Sequence, residues 1–430
     1  MEVREYPRLG ETVSRRTLSN GLTVMVVHKP FHAKRYAFFA TRYGGMDMRY
    51  QQDGQWKDTP AGIAHYLEHK MFDTQEGNAL QELAKNGAVE NAFTSGSMTA
   101  YYFESTEHFY DNLRILLSFV SIPWFTEESV AKEQGIIAQE IRMTEDDPEW
   151  QVYAGLMECL YRESPVRVPV AGTVESIRSI TPQVLYDCHR AFYVPGNMVL
   201  VCVGDVEMDQ VVHLAEEILP AEQGEEISRD YGAEEDTTPC CREKERSMEV
   251  SMPMFLGGYK CRPCAGGEEL LRRSIIGDMA CDVLFGDSSP LYARLYEEGA
   301  INGSLGGNFD IMPGASYLYV GGDARDPQRV FNEITAEALR LAEEGIDESF
   351  YQQIRRAAYG QAIRSLNSFE NIAVSLAEGH FRGFDYYRLP EIFDSVTKAD
   401  VEAFLREEIT QEHAAISVIR PLGGEMEQDE

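Results

Sequence analysis

The amino-acid sequence predicts an α+β protein of two homologous domains, each a mixed or antiparallel sheet with helices packed on it. Its 430 residues exceed what one ordinary hydrophobic core organises, so two domains are expected. Strand-like and helix-like segments mix without strict alternation, which favours α+β over a parallel doubly wound sheet. Residues 223–246 are acidic, poor in aliphatic side chains and punctuated by Gly and Pro, which is typical of a linker. The predicted domains are therefore residues 1–222 and 247–430.

The N-terminal half carries the clearest local signals. Asn20-Gly21 lies between two runs of β-forming residues, 16–19 and 22–27, and predicts a hairpin. The periodicity of the apolar residues then predicts the elements that follow. In order, these are a strand at 36–44, helices at 59–72 and 80–86, a strand pair within 91–104, and amphipathic helices at 107–120 and 127–145.

The two halves echo each other. Thr181 opens a helical segment that leads into the apolar run 198–203, and Thr397 opens another that leads into the apolar run 415–419. Each threonine is a suitable helix N-cap, because its hydroxyl can accept a hydrogen bond from a main-chain N–H of the first turn. The alternative is that helix-then-strand recurs by accident. The position of the linker favours two similarly folded domains.

The net charge excludes several classes of partner. The chain has 39 Lys and Arg against 71 Asp and Glu, which gives a formal charge of −32. Such a surface repels phosphate backbones and anionic lipid, so neither nucleic acid nor a membrane is an expected partner. No apolar run of about 18 residues is present, so no membrane-spanning segment is expected. Neutral or basic peptides remain as substrates.

The cysteines indicate a reducing compartment. Eight cysteines are too sparse for a disulfide scaffold, and the N-terminal residues lack an apolar export signal, so we expect a cytoplasmic protein. Cys261 and Cys264 have the spacing of half a zinc or redox site. The adjacent Cys240 and Cys241 are an awkward second half, since neighbouring side chains rarely converge on one ion. Ordinary reduced thiols are the favoured interpretation.

Two histidines share one pentapeptide, His65-Tyr-Leu-Glu-His69. On a helix, positions i and i+4 lie on one face about 5–6 Å apart, so both imidazoles can reach one Zn²⁺. Glu68 lies beside that face, where its carboxylate can reach a zinc-bound water. The alternative is a surface helix with two histidines and a salt-bridging glutamate. The apolar neighbours Ile63 and Leu67 argue that the helix is at least half buried, which favours the metal site.

A catalytic zinc site needs a third protein ligand from elsewhere. The helix predicted at 127–145 places Glu133 and Glu140 two turns apart on one face. Ile136, Ile137 and Ile141 flank that side, so we expect the face to look inward. Buried carboxylates are costly unless a metal or hydrogen bonds stabilise them. The alternative, a solvated acidic stripe, is the weaker interpretation beside the histidine pair.

H-x-x-E-H followed by E-x₆-E resembles the inverted zincins, the family of pitrilysin, insulin-degrading enzyme and mitochondrial processing peptidase. Further matches are the hairpin at 18–22, the segment 62–72, and the segments 91–94 and 99–102. The resemblance is strong over residues 15–145 and weaker towards the C-terminus. It implies tandem homologous α+β domains, in agreement with the linker and the echo.

The resemblance also implies the roles of the site residues. His65, His69 and Glu140 would bind zinc, Glu68 would be the catalytic general base, and Glu133 would be a supporting catalytic carboxylate. Zinc would polarise the scissile carbonyl and acidify the bound water, whose proton Glu68 would pass to the departing amine. Glu133 would orient the ligands.

Three further residues match substrate-binding positions of the family. Asn91 and Ala92 would lie on an edge strand to which a substrate peptide adds by main-chain hydrogen bonds. Phe72 matches an aromatic residue that lines the pocket beside the metal.

One departure from the family bears on partners. Single-chain members carry an Arg and a Tyr seven residues apart in the second half, and the matching stretch here, 291–303, lacks that pair. In two-chain members a related subunit supplies it. The resemblance therefore implies the zinc-bearing partner of a heterodimer with a homologous chain, although a homodimer also fits. The alternative is that Tyr292, Arg294 or Tyr296 acts from a shifted position.

The expected function is that of a zinc metallopeptidase that cleaves peptides or extended segments. Two alternatives share the fold: an assembly subunit without activity, and a zinc-binding regulator that holds peptides without cutting them. The motif residues His65, Glu68, His69, Glu133 and Glu140 are all present, which favours the enzyme.

Overall fold

The structure is a computed structural model, and it describes residues 1–422. In chain order the strands are β1 (Glu2–Tyr6), β2 (Glu11–Thr17), β3 (Thr23–His28), β4 (Arg35–Thr41), β5 (Arg49–Gln52), β6 (Gln55–Asp58), β7 (Asp73–Thr74), β8 (Gly77–Asn78), β9 (Val89–Thr94), β10 (Thr99–Ser105), β11 (Met198–Gly204), β12 (Ser228–Arg229), β13 (Glu243–Met248), β14 (Met254–Cys261), β15 (Gly306–Met312), β16 (Ala315–Asp323) and β17 (Ala414–Pro421). The helices are α1 (Ile63–Met71), α2 (Ala79–Lys85), α3 (Phe109–Ser121), α4 (Glu127–Glu145), α5 (Pro148–Leu160), α6 (Pro182–Phe192), α7 (Met208–Ile218), α8 (Glu268–Phe285), α9 (Pro290–Glu297), α10 (Pro327–Glu344), α11 (Glu348–Ser365), α12 (Phe369–Arg382), α13 (Leu389–Ser395) and α14 (Lys398–Glu408).

The chain folds into two compact units. Unit 1 consists of Met1–Ile141, Val168–Tyr231 and Ile363–Arg388. Among the residues that the structure describes, unit 2 consists of Arg142–Arg167, Gly232–Ala362 and Leu389–Leu422. Both combine sheets with packed helices, so the predicted α+β class is confirmed.

Unit 1 is organised around a seven-stranded sheet of order β1-β2-β3-β11-β4-β10-β9. β11 runs parallel to β3, and the other neighbours are antiparallel. One sheet face buries Val24, Phe39 and Tyr101 in a core shared with the helices α1, α3, α6 and α7. The other face is covered by α12. Because both faces are covered, β11 is buried along its whole length and reads as a continuous apolar run.

Unit 2 is organised around a five-stranded sheet of order β13-β17-β14-β16-β15. β13 runs parallel to β17, and the remaining pairs are antiparallel. The helix α5 packs against β17, β14 and β13 through Leu156, Met157 and Leu160, and α8 packs against β15.

The two sheets repeat one topology. Each sheet contains five strands that, counted in chain order, lie side by side in the order first, last, second, fourth, third. Of these neighbouring pairs, only the first and last strands run parallel. In unit 1 these strands are β3, β4, β9, β10 and β11, and in unit 2 they are β13 to β17. Thr181 caps the helix before β11, and Thr397 caps the helix before β17 through a capping box. The echo noted in the sequence therefore reflects a repeated fold.

The compact units differ from the contiguous domains 1–222 and 247–430 in two segments. Residues 142–167 lie before the predicted linker but belong to unit 2, because α5 covers the sheet of unit 2. Residues 363–388 lie far beyond it but belong to unit 1, because α12 covers the sheet of unit 1. An amphipathic helix pattern predicts an apolar face but does not name the sheet that the face packs on.

The segment 223–246 is also more ordered than a linker. β12 pairs with β5, and β13 begins at Glu243. The side chain of Arg229 is buried and forms an ion pair with the buried Asp47, at 3.2 Å. This acidic segment therefore makes specific contacts that its composition does not predict. Along the chain, unit 1 ends at Tyr231 and unit 2 continues from Gly232.

Candidate metal centre

The helix α1 carries the H-x-x-E-H motif and begins later than its periodicity predicts. Gly62 precedes it with φ +90°, a left-handed conformation that glycine adopts without steric cost. A Cβ atom on Gly62 would lie against the carbonyl oxygen of Ala171, well inside contact distance. The expected start at 59 is therefore wrong, and the helix begins at Ile63.

Two buried polar contacts tie α1 to the first turn of α4. The hydroxyl of Tyr66 donates to the carbonyl oxygen of Val130. The side chain of Lys70 is 1% exposed, and its ammonium group binds the carboxylate of Asp73 and lies 3.4 Å from the carbonyl oxygen of Ser129. Both residues lie in the matched segment 62–72, but the sequence did not predict these contacts, because a buried Lys or Tyr carries no signal that identifies its partner.

The structure brings His65, His69 and Glu140 together. Nε2 of His65 lies 3.4 Å from Oε1 of Glu140, and Nε2 of His69 lies 3.7 Å from Oε2 of the same carboxylate. One ligand atom from each of the three residues lies within 4.8 Å of the other two. The two imidazole rings are 4.6 Å apart between centroids.

This donor set fits a zinc ion. Donors at 2.0–2.1 Å from a tetrahedral centre are themselves roughly 3.3 Å apart, close to the spacings observed here. Nδ1 of His69 donates to Oε1 of Glu133 at 3.0 Å, an arrangement that leaves Nε2 unprotonated and directed at Glu140. Nδ1 of His65 is buried and has no hydrogen-bond partner within residues 1–422. Two imidazoles and one carboxylate leave a fourth position open, as catalytic zinc sites do.

The charges within the cluster favour a cation. The interaction with His65 lowers the pKa of Glu140, and the hydrogen bond with His69 lowers the pKa of Glu133. Burial opposes a charge on His69, but its hydrogen bond with Glu133 and the nearby carboxylates outweigh that cost and raise its pKa. Both carboxylates are therefore ionised at neutral pH, and the site is negative when its histidines are neutral.

Glu68 lies next to the candidate metal ligands in the chain but has a different environment. It is 7% exposed, and its Oε2 accepts a hydrogen bond of 2.6 Å from the hydroxyl of Thr94 on β9. Thr99 on β10 donates to the carbonyl oxygen of Tyr43 at 2.8 Å and lies 3.4 Å from the hydroxyl of Thr94. Thr94 was recognised in the sequence only as part of a family motif, because its contact with Glu68 joins residues 26 positions apart.

The orientation of α4 differs in part from the prediction. Ile137 and Ile141 are buried, as expected, but Ile136 is 46% exposed. Ile136 lies on the opposite side of the carboxylate stripe from the other two isoleucines, one turn before Glu140. The carboxylates therefore lie at the boundary between the buried and exposed faces of the helix, where Glu140 remains 43% exposed.

Asn91 and Ala92 lie on β9, which is one of the two edge strands of the unit 1 sheet and packs against α1. The side chain of Asn91 accepts a hydrogen bond from the main-chain N–H of Ala92 at 2.9 Å. Phe72 ends α1 and is half-buried between the rings of Tyr101 and Phe119, at centroid distances of 5.8 and 5.2 Å. A substrate-binding role stays a prediction for all three.

The stretch 291–303 lies in unit 2. The guanidinium of Arg294 lies 2.7 Å from Glu333 and 3.2 Å from Glu298. Tyr292 and Tyr296 stack on each other with nearly parallel rings, 6.2 Å apart between centroids. Arg294 is therefore engaged in surface ion pairs.

Cys261 is buried on β14, and Cys264 is half-buried. Within residues 1–422, the only group of His, Cys, Asp or Glu side chains with metal-ligand spacing is His65, His69 and Glu140.

Over the same residues, no helix combines the length and the apolar character that crossing a bilayer requires.

Comparison with protein families gives two matches. Residues 52–174 match the model described as insulinase, peptidase family M16, and residues 179–358 match the peptidase M16 inactive domain. The first match contains the H-x-x-E-H helix and both α4 carboxylates. The second covers much of unit 2.

Individual proteins agree with these matches. The uncharacterized zinc protease YmfH of Bacillus subtilis is 37% identical over 97% of this chain and 98% of its own length. The crystal structure of an M16-like peptidase from Alicyclobacillus acidocaldarius superposes with a TM-score of 0.91 and 34% identity, covering 96% of this chain and 99% of that one. A protease from Helicobacter pylori, at 19% identity over 95% and 99% of the two chains, shares the fold with a TM-score of 0.81. Matches of this extent, around a site with the donor set of a zinc peptidase, show that the chain belongs to peptidase family M16.

Proposed function

We propose that the chain is a zinc metalloendopeptidase that hydrolyses peptides or extended segments. His65, His69 and Glu140 are the proposed metal ligands, and Glu68 is the proposed general base. The observation that carries the proposal is the convergence of two imidazoles and a carboxylate within 4.8 Å, with the buried Glu68 carboxylate next to them in the chain. The zinc protease names of the relatives support it.

The proposed mechanism divides the chemistry among these residues. Zinc, when bound, would polarise the scissile carbonyl and acidify the attacking water. Glu68 takes the proton of that water and passes it to the leaving amine. Thr94 donates to one carboxylate oxygen of Glu68 and so leaves the other free to accept the proton. Glu133 holds the imidazole of His69 in the tautomer that directs Nε2 towards the site.

The proposed substrate is a peptide in extended conformation. Within residues 1–422 no strand pairs with the outer edge of β9, and a peptide added there would bind through main-chain hydrogen bonds with little sequence preference. Asn91 and Ala92 are the proposed contact residues on that strand, and Phe72 is the proposed aromatic wall beside the metal.

The proposed partner is a homologous chain that supplies the missing Arg and Tyr. The ion pairs of Arg294 with Glu333 and Glu298 speak against the alternative in which Arg294 reaches a substrate. Full peptidase activity of the isolated chain as a monomer would contradict this part of the proposal. Activity that appears only on self-association would favour a homodimer. The cytoplasmic location stays a prediction.

The test combines metal analysis with a quenched-peptide assay. Glu68→Gln is expected to keep one zinc per chain and to lose cleavage, because the amide cannot accept the water proton. Glu76→Gln, which alters an exposed glutamate soon after the same helix, is the matched control and is expected to cleave normally. Retained cleavage by Glu68→Gln would contradict the mechanism. Zinc without turnover in the unmodified chain, even with its partner, would instead favour a peptide-binding subunit.

A further inference from the structure

Two cysteines of unit 2 meet at the end of α5. Cys159 lies in the last turn of that helix, and Cys241 lies two residues before β13, 82 positions later in the chain. Their Sγ atoms are 2.8 Å apart. Non-bonded heavy atoms prefer separations of roughly 3.5–4.0 Å, so these sulfurs are unusually close.

The main chain at this point is already arranged for a covalent link. The N–H of Cys241 donates to the carbonyl oxygen of Cys159 at 3.1 Å. Disulfides form between cysteines whose Cα atoms are roughly 4.4–6.8 Å apart, and this main-chain hydrogen bond keeps the two residues next to each other while their Sγ atoms are 2.8 Å apart. A bond between the two sulfurs therefore needs only a small movement of the side chains.

The two thiols differ in access. Cys159 is buried in the core between α5 and the sheet, whereas Cys241 is exposed. Burial and the contact with Cys241 raise the pKa of Cys159, so its thiol is unreactive on its own. A reagent from solution can reach Cys241 first.

The neighbouring Cys240 is directed elsewhere. Its thiol lies 2.9 Å from the carbonyl oxygen of Glu158 and 3.1 Å from that of Cys159, at the C-terminal end of α5. Burial raises its pKa, and the nearby Cys241 adds to that effect. Cys240 is thus held as a hydrogen-bond donor and offers a matched control for its neighbour.

We propose that Cys159 and Cys241 are a redox-sensitive thiol pair that closes to an intramolecular disulfide on reaction with a small-molecule disulfide. The thiolate of Cys241 attacks the oxidant, forms a mixed disulfide and releases one small thiol. Cys159 then attacks Sγ of Cys241 and breaks the mixed disulfide, and its proton passes to the departing small thiolate, so that the protein disulfide and the second small thiol are formed. Two protein thiols are oxidised, and one disulfide is reduced to two thiols.

The bond would join the end of α5 to the start of β13. α5 covers one face of the unit 2 sheet, and β13 is an edge strand of that sheet. A cross-link across 82 residues restricts the unfolded chain and so favours the folded unit. The oxidised protein is therefore expected to resist denaturant better than the reduced protein.

The full-length protein, reduced and then incubated with oxidised glutathione, provides the test. After acid quenching, denaturation and alkylation, peptide mapping is expected to find Cys159 linked to Cys241, with the loss of two hydrogens and reversal by dithiothreitol. The same treatment is expected to raise the urea midpoint.

Two variants separate this pair from its neighbour. Cys240→Ser is expected to form the same link, and Cys241→Ser is expected to form none and to show no oxidation-dependent shift in the urea midpoint. Three results would overturn the proposal: a link between Cys240 and Cys241, a stable glutathione adduct on Cys241 as the end product, or full alkylation of Cys159 and Cys241 after oxidation.

Discussion

Glu68 is held by a residue that belongs to another element. The hydroxyl of Thr94 reaches across from β9 and donates a short hydrogen bond, 2.6 Å, to the carboxylate. A hydrogen bond this short limits the rotation of the Glu68 side chain. Thr94 is therefore a positioning residue in the proposed mechanism.

Removing this hydroxyl is expected to slow the reaction without removing the metal. Thr94→Ala is expected to lower kcat by about 10- to 100-fold, the usual range for residues that orient an active group, with little change in KM or in zinc content. Thr94→Ser keeps the hydroxyl and is expected to restore most of the rate. Steady-state kinetics with zinc analysis check this. An unchanged kcat in Thr94→Ala would contradict the role.

At the scale of single residues, the sequence predicts the motif residues but not the contacts that hold them in place. His65 and His69 follow from helical spacing, and Glu140 follows from a second carboxylate motif. Thr94, Tyr66 and Lys70 hold these residues in place through contacts between distant segments, and although all three lie in segments that match the family, the match does not say what they contact. Sequence spacing predicts what lies on one helix face, but not what packs against it.

The start of α1 determines where the motif points. Gly62 combines a left-handed conformation with close contact to the carbonyl oxygen of Ala171. The only side chain smaller than a methyl group is that of glycine, so any substitution has to move either the helix or the segment around 171. The proposed metal ligands His65 and His69, on the next two turns, would move with the helix.

We expect Gly62→Ala to lower the free energy of unfolding by about 2 kcal/mol or more, because it combines a positive φ with a steric clash, and to weaken zinc binding. Urea unfolding and competition with a chelator measure the two effects.

Gly135→Ala is the matched control, because Gly135 lies inside α4 between the two carboxylates and a Cβ atom there has nothing within 4 Å. Alanine in that helix position is expected to raise the free energy of unfolding by about 1 kcal/mol and to leave zinc affinity unchanged. Equal effects of the two substitutions would refute the assignment of a special role to Gly62.

At the scale of elements, the strongest local signals were reliable. The hairpin predicted around Asn20-Gly21 is confirmed, with Thr17 opposite Thr23. The caps at Thr181 and Thr397 are confirmed as well. The start of α1 was misplaced, because apolar periodicity extended through Pro60 and Gly62 while the conformation of the main chain there depends on a contact with residues near 171.

Across the whole molecule, the segment that reads as an acidic linker contains a structural anchor. The carboxylate of Glu235 binds the ammonium group of Lys260 at 2.8 Å and accepts main-chain N–H bonds from residues 162–164. Burial opposes its charge, but these contacts prevail and lower the pKa of Glu235 to about 2. The composition of the segment could not reveal this, because Glu235 looks like its acidic neighbours.

The lowered pKa predicts a dependence of stability on pH. Above about pH 4.5 the carboxylate of Glu235 is ionised in both folded and unfolded chains, and its contacts contribute in full to the free energy of unfolding. This contribution is lost as the pH falls towards 2. Glu235→Gln is expected to lower the free energy of unfolding by about 1.5–3 kcal/mol at pH 7, and the difference is expected to shrink below pH 4.5.

Urea titrations at several pH values, with the exposed Glu234→Gln as a control, measure this. A difference that stays constant down to pH 3 would show that Glu235 acts without its charge.

The helix α12 lies late in the chain but belongs to unit 1, and α5 lies early but belongs to unit 2. This arrangement leads to a prediction for fragments of the protein. Residues 1–231 lack α12, which covers Phe38, Val199 and Val201 on the second face of the unit 1 sheet. We expect that fragment to aggregate and to bind a hydrophobic dye, because a large apolar face is exposed. Joining residues 363–388 to it by a flexible linker is expected to reduce the dye binding, because α12 then covers this sheet face, although α5 still lacks the sheet of unit 2 on which it packs. A soluble, compact fragment 1–231 would contradict this prediction.

The late position of α12 in the chain also affects folding during synthesis. The ribosome finishes residue 231 long before it reaches residue 388, which is 388 − 231 = 157 residues later. At roughly 5–20 residues per second, translation of that interval takes about 8–30 s. During this time the nascent chain carries an uncovered apolar sheet face, which is the kind of surface that chaperones recognise. Completion of the first unit therefore waits for the final stages of synthesis.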